Sequence, residues 1–174
     1  GGGAGDTADR LCQRQDLAGR CLQGYGGGKG QLHAGRQCTF GGGGANVNPG
    51  KLTERVPYAQ FLGIEYDQEA RAFCLPFRDD LIGNARLPAL HGGVIGGFAE
   101  TSAILWLLCH EQQQRIPNPI DFSVDYLRSA RARDSYADCE VLRQGRRVAQ
   151  VQVRCWQANR QVPIAVARAH FLLE

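Results

Sequence analysis

The sequence predicts an α+β fold, with an antiparallel sheet wrapped around one long central helix. Three observations carry this. From Gly92 to about Glu111 the chain is almost wholly apolar, and Glu100 is the only charge between Gly92 and Cys109. A helix apolar on nearly all sides belongs in a core. Four later segments alternate apolar and polar residues with period two, as half-buried strands do. Strands grouped around a single helix, without strict strand–helix alternation, suit an antiparallel sheet.

The elements follow in order. Residues 1–50 hold 16 of the 23 glycines and sustain no helical or strand period. Such composition does not offset the entropy of folding, so this stretch reads as a weakly ordered extension ahead of a domain over 51–174. Its glycine runs have neither the preceding strand nor the following apolar helix of a phosphate loop. With no Met anywhere, the chain is expected to lack its natural start. Thr53-Glu54-Arg55 opens a short helix ending near Gly63. Residues 64–77 read as two strand arms around Asp67-Gln68-Glu69, and 78–90 read as a loop. The core helix leaves through Pro117 and Pro119. Strands then follow at Ile120–Tyr126, Ala137–Val141 and Ala149–Cys155, with a hairpin at Gln144-Gly145. Val162–Leu172 is the last strand, with Pro163 tolerated near its start.

Composition narrows the function. At 174 residues and 43% hydrophobic content the chain supports one domain with a core. The net charge of +3 is mild and the basic residues are not massed in one block, so no nucleic-acid partner is expected. The longest run of large apolar residues, Ala103 to Cys109, falls short of a membrane span, and no membrane partner is expected. Seven cysteines show no C-x-x-C pair or zinc spacing. Those after Lys51 are expected to be reduced core residues of a cytoplasmic protein. No metal or cofactor is called for.

The chemistry points to the start of the central helix. Gly92 and Gly93 place amides with no intrahelical partner at the positive end of a helix dipole, a ready oxyanion site. Glu100 has only Gly96, Gly97, Ala103 and Ile104 three and four residues away. A carboxylate buried without a partner is costly and marks a functional group. Gly92 and Glu100 are eight residues apart, roughly 12 Å along a helix, whereas a reacting carbonyl needs both groups within about 3 Å. Two antiparallel copies of the helix would bring Gly92 of one chain to Glu100 of the other, which predicts a homodimer or homotetramer. His91 caps or shapes the helix start. Asn84 serves either to orient water or the carbonyl, or to form a turn. Most of the arginines from Arg128 to Arg147 form a solvated face.

These residues resemble a family. His91-Gly92-Gly93 with a carboxylate nine residues after the His is similar to the hotdog-fold acyl-CoA thioesterases of the phenylacetate-degradation type. So are Asn84 ahead of the His, the strand ending in Asp125-Tyr126-Leu127-Arg128, and the lead-in from Val56-Pro57 through Phe61-Leu62-Gly63-Ile64. The resemblance covers roughly residues 54–173. It departs in an Asn-to-His spacing one residue longer than usual and in Pro119, where a Ser or Thr often precedes the strand.

The resemblance implies hydrolysis of an acyl-CoA thioester. The Gly92 amide would polarise the carbonyl, and Glu100 of the opposing subunit would act as base or nucleophile. His91 and Asn84 would assist, with Gly93, Arg128 and Arg131 binding substrate, since guanidinium suits phosphate geometry. Two alternatives stand beside it: a hydroxyacyl dehydratase on the same fold, with a His base, and a non-catalytic acyl-binding module.

Overall fold

The computed structural model describes residues 49–110 and 115–173. Of the extension read over 1–50, residues 1–48 lie outside the described residues, and 49–50 open the first helix. The expected short helix begins later than Thr53, as α2 (Pro57–Leu62), and a separate helix α1 (Pro49–Thr53) precedes it. The break falls at Val56, which is extended at φ −112°, ψ 100°. A proline clashes with a helical residue before it, while its own fixed φ suits the first helical position. Gly63 ends α2 in the left-handed region at φ 70°.

The two arms are β1 (Glu65–Asp67) and β2 (Ala72–Leu75). Asp67 Oδ1 accepts the Glu69 and Ala70 amides at 2.9 Å and makes the turn between them. The segment read as a loop contains a 3-10 turn (Asp79–Leu81) and a small hairpin, β3 (Ile82–Asn84) with β4 (Ala89–Leu90). These strands are too short to show a period.

The helix α3 (Gly92–His110) is followed by β5 (Asn118–Tyr126), β6 (Ser135–Gln144), β7 (Val148–Trp156) and β8 (Ala165–Leu172). The β6–β7 turn lies two residues beyond the expected hairpin, at Arg146-Arg147, and is closed by the Gly145 amide on the Val148 carbonyl at 2.8 Å. The six-stranded sheet has the order β1-β2-β6-β7-β8-β5 and every pairing in it is antiparallel.

The sheet wraps α3 as expected. Ile95, Phe98, Leu105, Leu107 and Leu108 are buried against Phe73, Leu75, Val151, Val153 and Phe171. Each such side chain contributes roughly 1.5–3 kcal/mol of burial. Buried Ala165, Ala167 and Ala169 line the inner face of β8, and small side chains there let the sheet close on the helix. By length and composition residues 92–109 are apolar enough to cross a bilayer, contrary to the sequence estimate. In the fold 61% of that stretch is buried, as befits a core helix.

Cys109, Cys139 and Cys155 form no disulfide. Cys74, fully buried in β2, is disulfide-bonded and corrects the expectation of reduced thiols. Spatial approach decides a disulfide, and sequence spacing does not reveal it.

Candidate active site

The first turn of α3 is built from four backbone amides with different fates. His91 stands at the N-cap. Its carbonyl accepts the Val94 amide at 2.9 Å and the Ile95 amide at 3.3 Å, and its Nδ1 accepts the Gly93 amide at 2.9 Å. Gly92 N–H alone meets no acceptor among the described residues. An accepting Nδ1 leaves the ring proton on Nε2, so His91 shapes the turn through its ring and does not present Nδ1 as a base.

Behind this turn stands the β3–β4 hairpin. The His91 amide donates to the Leu81 carbonyl at 2.9 Å. Asn84 Oδ1 accepts the Arg86 and Leu87 amides at 3.0 and 3.3 Å. Of the two roles open to Asn84, the turn is the one its side chain fills.

In front of it is Tyr126, the last residue of β5. Its hydroxyl donates to the Gly92 carbonyl at 2.7 Å. Its phenol lies over the helix so closely that a Cβ at Gly92 would stand 3.3 Å from the ring and one at Gly96 3.3 Å from the hydroxyl. Tyr58 of α2 lies as closely on Gly97, where a Cβ would meet its ring at 2.9 Å. The glycines of α3 therefore seat two phenols.

A cleft of about 450 Å³ opens at this turn, lined by Leu90, Gly92, Tyr126, Arg128, Ala130 and Ile164 among others. Arg128 Nη1 donates to the Pro163 carbonyl at 2.7 Å, which holds the guanidinium at the edge. The wall of residues 128–135 is fixed from below by Gln157. Its Oε1 accepts the Arg131 amide at 2.9 Å, and its Nε2 donates to the carbonyls of Arg131 and Arg133 and to Ser135 Oγ at 2.9, 3.2 and 3.1 Å.

The structure thus brings Gly92 and Arg128 to one cleft. His91 and Gly93 adjoin it through the first turn without lining it. Asn84, Arg131 and Glu100 also lie outside the lining. Glu100 is half-buried, not enclosed as the sequence suggested. At 100° per residue, Glu100 shares a stripe with Gly93 and Gly97, and none of the three is buried. Glycine side chains cannot screen the carboxylate, and no polar partner holds it among the described residues. The Cys139 and Cys155 thiols are poor nucleophiles. Burial, with smaller effects of nearby thiols and Asp138, raises Cys139 well above the usual range. Burial and then Asp138 push Cys155 up to about 12.

Sequence reasoning missed Tyr126 as part of the site, together with Gly83 and Gln157. The Tyr-Leu-Arg ending of β5 was visible. What it did not reveal is that Tyr126 crosses back onto Gly92.

A long helix gripped by an antiparallel sheet, with a free amide at the cleft end, defines a hotdog-fold protein. A family model described as thioesterase superfamily matches residues 87–164. The chain is 32% identical over 134 residues to the medium/long-chain acyl-CoA thioesterase YigI of Salmonella typhimurium, covering 68% of this chain and 86% of that one. It is 31% identical over 134 residues to YigI of Escherichia coli, with the same coverage. Among solved structures, a Chromobacterium violaceum protein superposes with a TM-score of 0.56 at 41% identity, covering 71% of this chain and 88% of that one. The E. coli PaaI protein from the phenylacetic acid degradation operon superposes with a TM-score of 0.60 at 18% identity, covering 71% and 88%. The chain belongs to the thioesterase superfamily and is a thioester hydrolase.

Proposed function

We propose that the chain hydrolyses acyl-CoA to the free acid and coenzyme A in a site shared by two copies. The carrying observation is the Gly92 amide, the one amide of the helix start left without an acceptor among the described residues, at the mouth of the cleft. It is placed to donate to a thioester oxygen, more strongly as that oxygen gains charge. Glu100 of the facing copy takes a proton from water as the water oxygen attacks the carbonyl carbon. The thiolate then leaves and recovers the proton. In the other route the carboxylate attacks first and water opens the resulting anhydride. Incorporation of ¹⁸O from labelled water into Glu100 during a single turnover would distinguish that second route.

Two further features support sharing. The nine-residue β5 lies at the sheet edge, one flank unpaired among the described strands, with Ile120 59% exposed. Such an edge is a template for a second strand. Glu100 is also only half-buried on its own α3. The chain length of the acyl group is drawn from the YigI relatives, whose names specify medium and long chains. Arg128 at the cleft edge is the candidate for the phosphates of coenzyme A. A dehydratase would need His91 as its base, and Nδ1 is already occupied by the Gly93 amide.

The test is complementation. Gly92→Pro removes the amide at the first helical position, where proline is tolerated, and Glu100→Gln removes the carboxylate. Each variant alone should lose thiol release from a medium-chain acyl-CoA. Co-refolded as mixed dimers they should recover about a quarter of wild-type activity, because half the dimers then carry one intact site. No recovery from well-folded mixed dimers would place both groups in one chain's site or remove one of them from the chemistry.

A further inference from the structure

The Tyr126 hydroxyl and the His91 ring act on the same peptide unit. Tyr126 donates to its carbonyl, that of Gly92, at 2.7 Å, and His91 Nδ1 accepts from its amide, that of Gly93, at 2.9 Å. One peptide plane is thus held at both ends by side chains from different elements, β5 and the N-cap of α3. Glycine on both sides of that plane would otherwise leave it unusually free to rotate. The two bonds also divide the donors. The Gly93 amide is consumed, so of the amides in the first turn of α3 that of Gly92 is the one left to the cleft among the described residues.

The ring contributes as well. It lines the cleft and rests on Gly92 and Gly96, where a Cβ would stand 3.3 Å from the ring carbon and the hydroxyl respectively. Gly96 thereby sets how low the phenol sits and whether its hydroxyl reaches the Gly92 carbonyl.

We propose that Tyr126 is a positioning residue of the thioesterase site: it fixes the Gly92–Gly93 peptide and, through the shared Gly92 Cα, steadies the adjoining His91–Gly92 peptide whose N–H points at the reacting oxygen. The proposal rests on the reading of Gly92 as the oxyanion donor. Tyr126 touches neither the reacting carbonyl nor the water. Its effect belongs to the step in which charge builds on oxygen, and so to kcat rather than KM.

The experiment uses the full chain, a medium-chain acyl-CoA and its thioether analogue, which has no carbonyl. Tyr126→Phe keeps the ring and removes one hydrogen bond. It should lower kcat about 5- to 10-fold, the worth of one ordinary hydrogen bond, while KM and binding of the thioether stay within about twofold. Gly96→Ala, which lifts the phenol, should lower kcat similarly, and adding it to Tyr126→Phe should cost little more. The ¹³C resonance of the Gly92 carbonyl should move upfield in both variants as its hydrogen bond is lost. A Tyr126→Phe protein with wild-type kcat, or a loss confined to KM, overturns the proposal. An unmoved Gly92 carbonyl resonance overturns it independently of any assay. A wild-type protein that hydrolyses no acyl-CoA overturns the thioesterase reading instead, and the carbonyl resonance still decides whether Tyr126 holds the peptide.

Discussion

Gly83 lies directly beneath His91: a Cβ at Gly83 would stand 2.6 Å from the His91 Cα and 2.7 Å from its Cβ. The close approach is backbone against backbone, so neither residue can yield by turning a side chain. It ties the β3–β4 hairpin to the N-cap of α3.

Gly83→Ala should therefore do two things at once. Overpacking of this kind costs about 1–3 kcal/mol, visible as a lower denaturation midpoint. The displaced His91 should also release the Gly93 amide, so turnover per folded molecule should fall. A variant with wild-type stability and turnover would show that the hairpin yields freely.

Glu100→Gln should lower acyl-CoA turnover by at least about 10²-fold, at the low end of what a general base contributes. Stability should stay close to wild type, because the carboxylate is half-buried and unpaired among the described residues. Near-wild-type turnover in a well-folded variant would remove Glu100 from the mechanism.

Replacing Gln157 with Leu keeps much of the volume and removes four polar contacts. Buried groups left unpaired cost about 1–3 kcal/mol, which for a chain of this size lowers Tm by roughly 2–4 °C per kcal/mol. Because the clip holds the wall that carries Arg128, KM should rise more than kcat falls. Unchanged Tm and KM would show that water replaces the amide without loss.

Alkaline pH should weaken the fold in a definite window. The Cys155 thiol titrates at about 12 when folded, against 9.0 for the free group. Its neutral form is the one the fold favours. The associated stability is complete below about pH 9 and declines as pH rises toward 12, because the unfolded chain loses the proton first. Cys155→Ala should therefore lose less Tm than wild type between pH 8 and 10.5, whatever its Tm at neutral pH. Parallel losses would assign the alkaline weakening to other groups.

The fold was legible because its signals are long. Nineteen helical residues carrying one charge, and strands of eight to ten residues with period two, leave little choice of architecture. The candidate site was legible where chemistry and chain order coincide, as in His91-Gly92-Gly93. It was not legible where two distant segments meet. Nothing local in Tyr126 or Gln157 announces a partner 34 or 26 residues away. Glu100 looks buried in the sequence because its neighbours are apolar. Gly93 and Gly97 count as apolar in a sequence but have no side chain to cover a carboxylate. The β3–β4 hairpin hid for a simpler reason, since three- and two-residue strands have no periodicity to detect.

The open flank of β5 has a consequence for handling the protein. A nine-residue strand edge with exposed Ile120 and Tyr126 is adhesive to any strand that meets it. If two copies share the site as proposed, a chain separated from its copy would not persist as a quiet monomer. Thermal stability should therefore climb with protein concentration, and substitutions that weaken self-association should surface first as turbidity and poor yield, before any assay registers a slower enzyme.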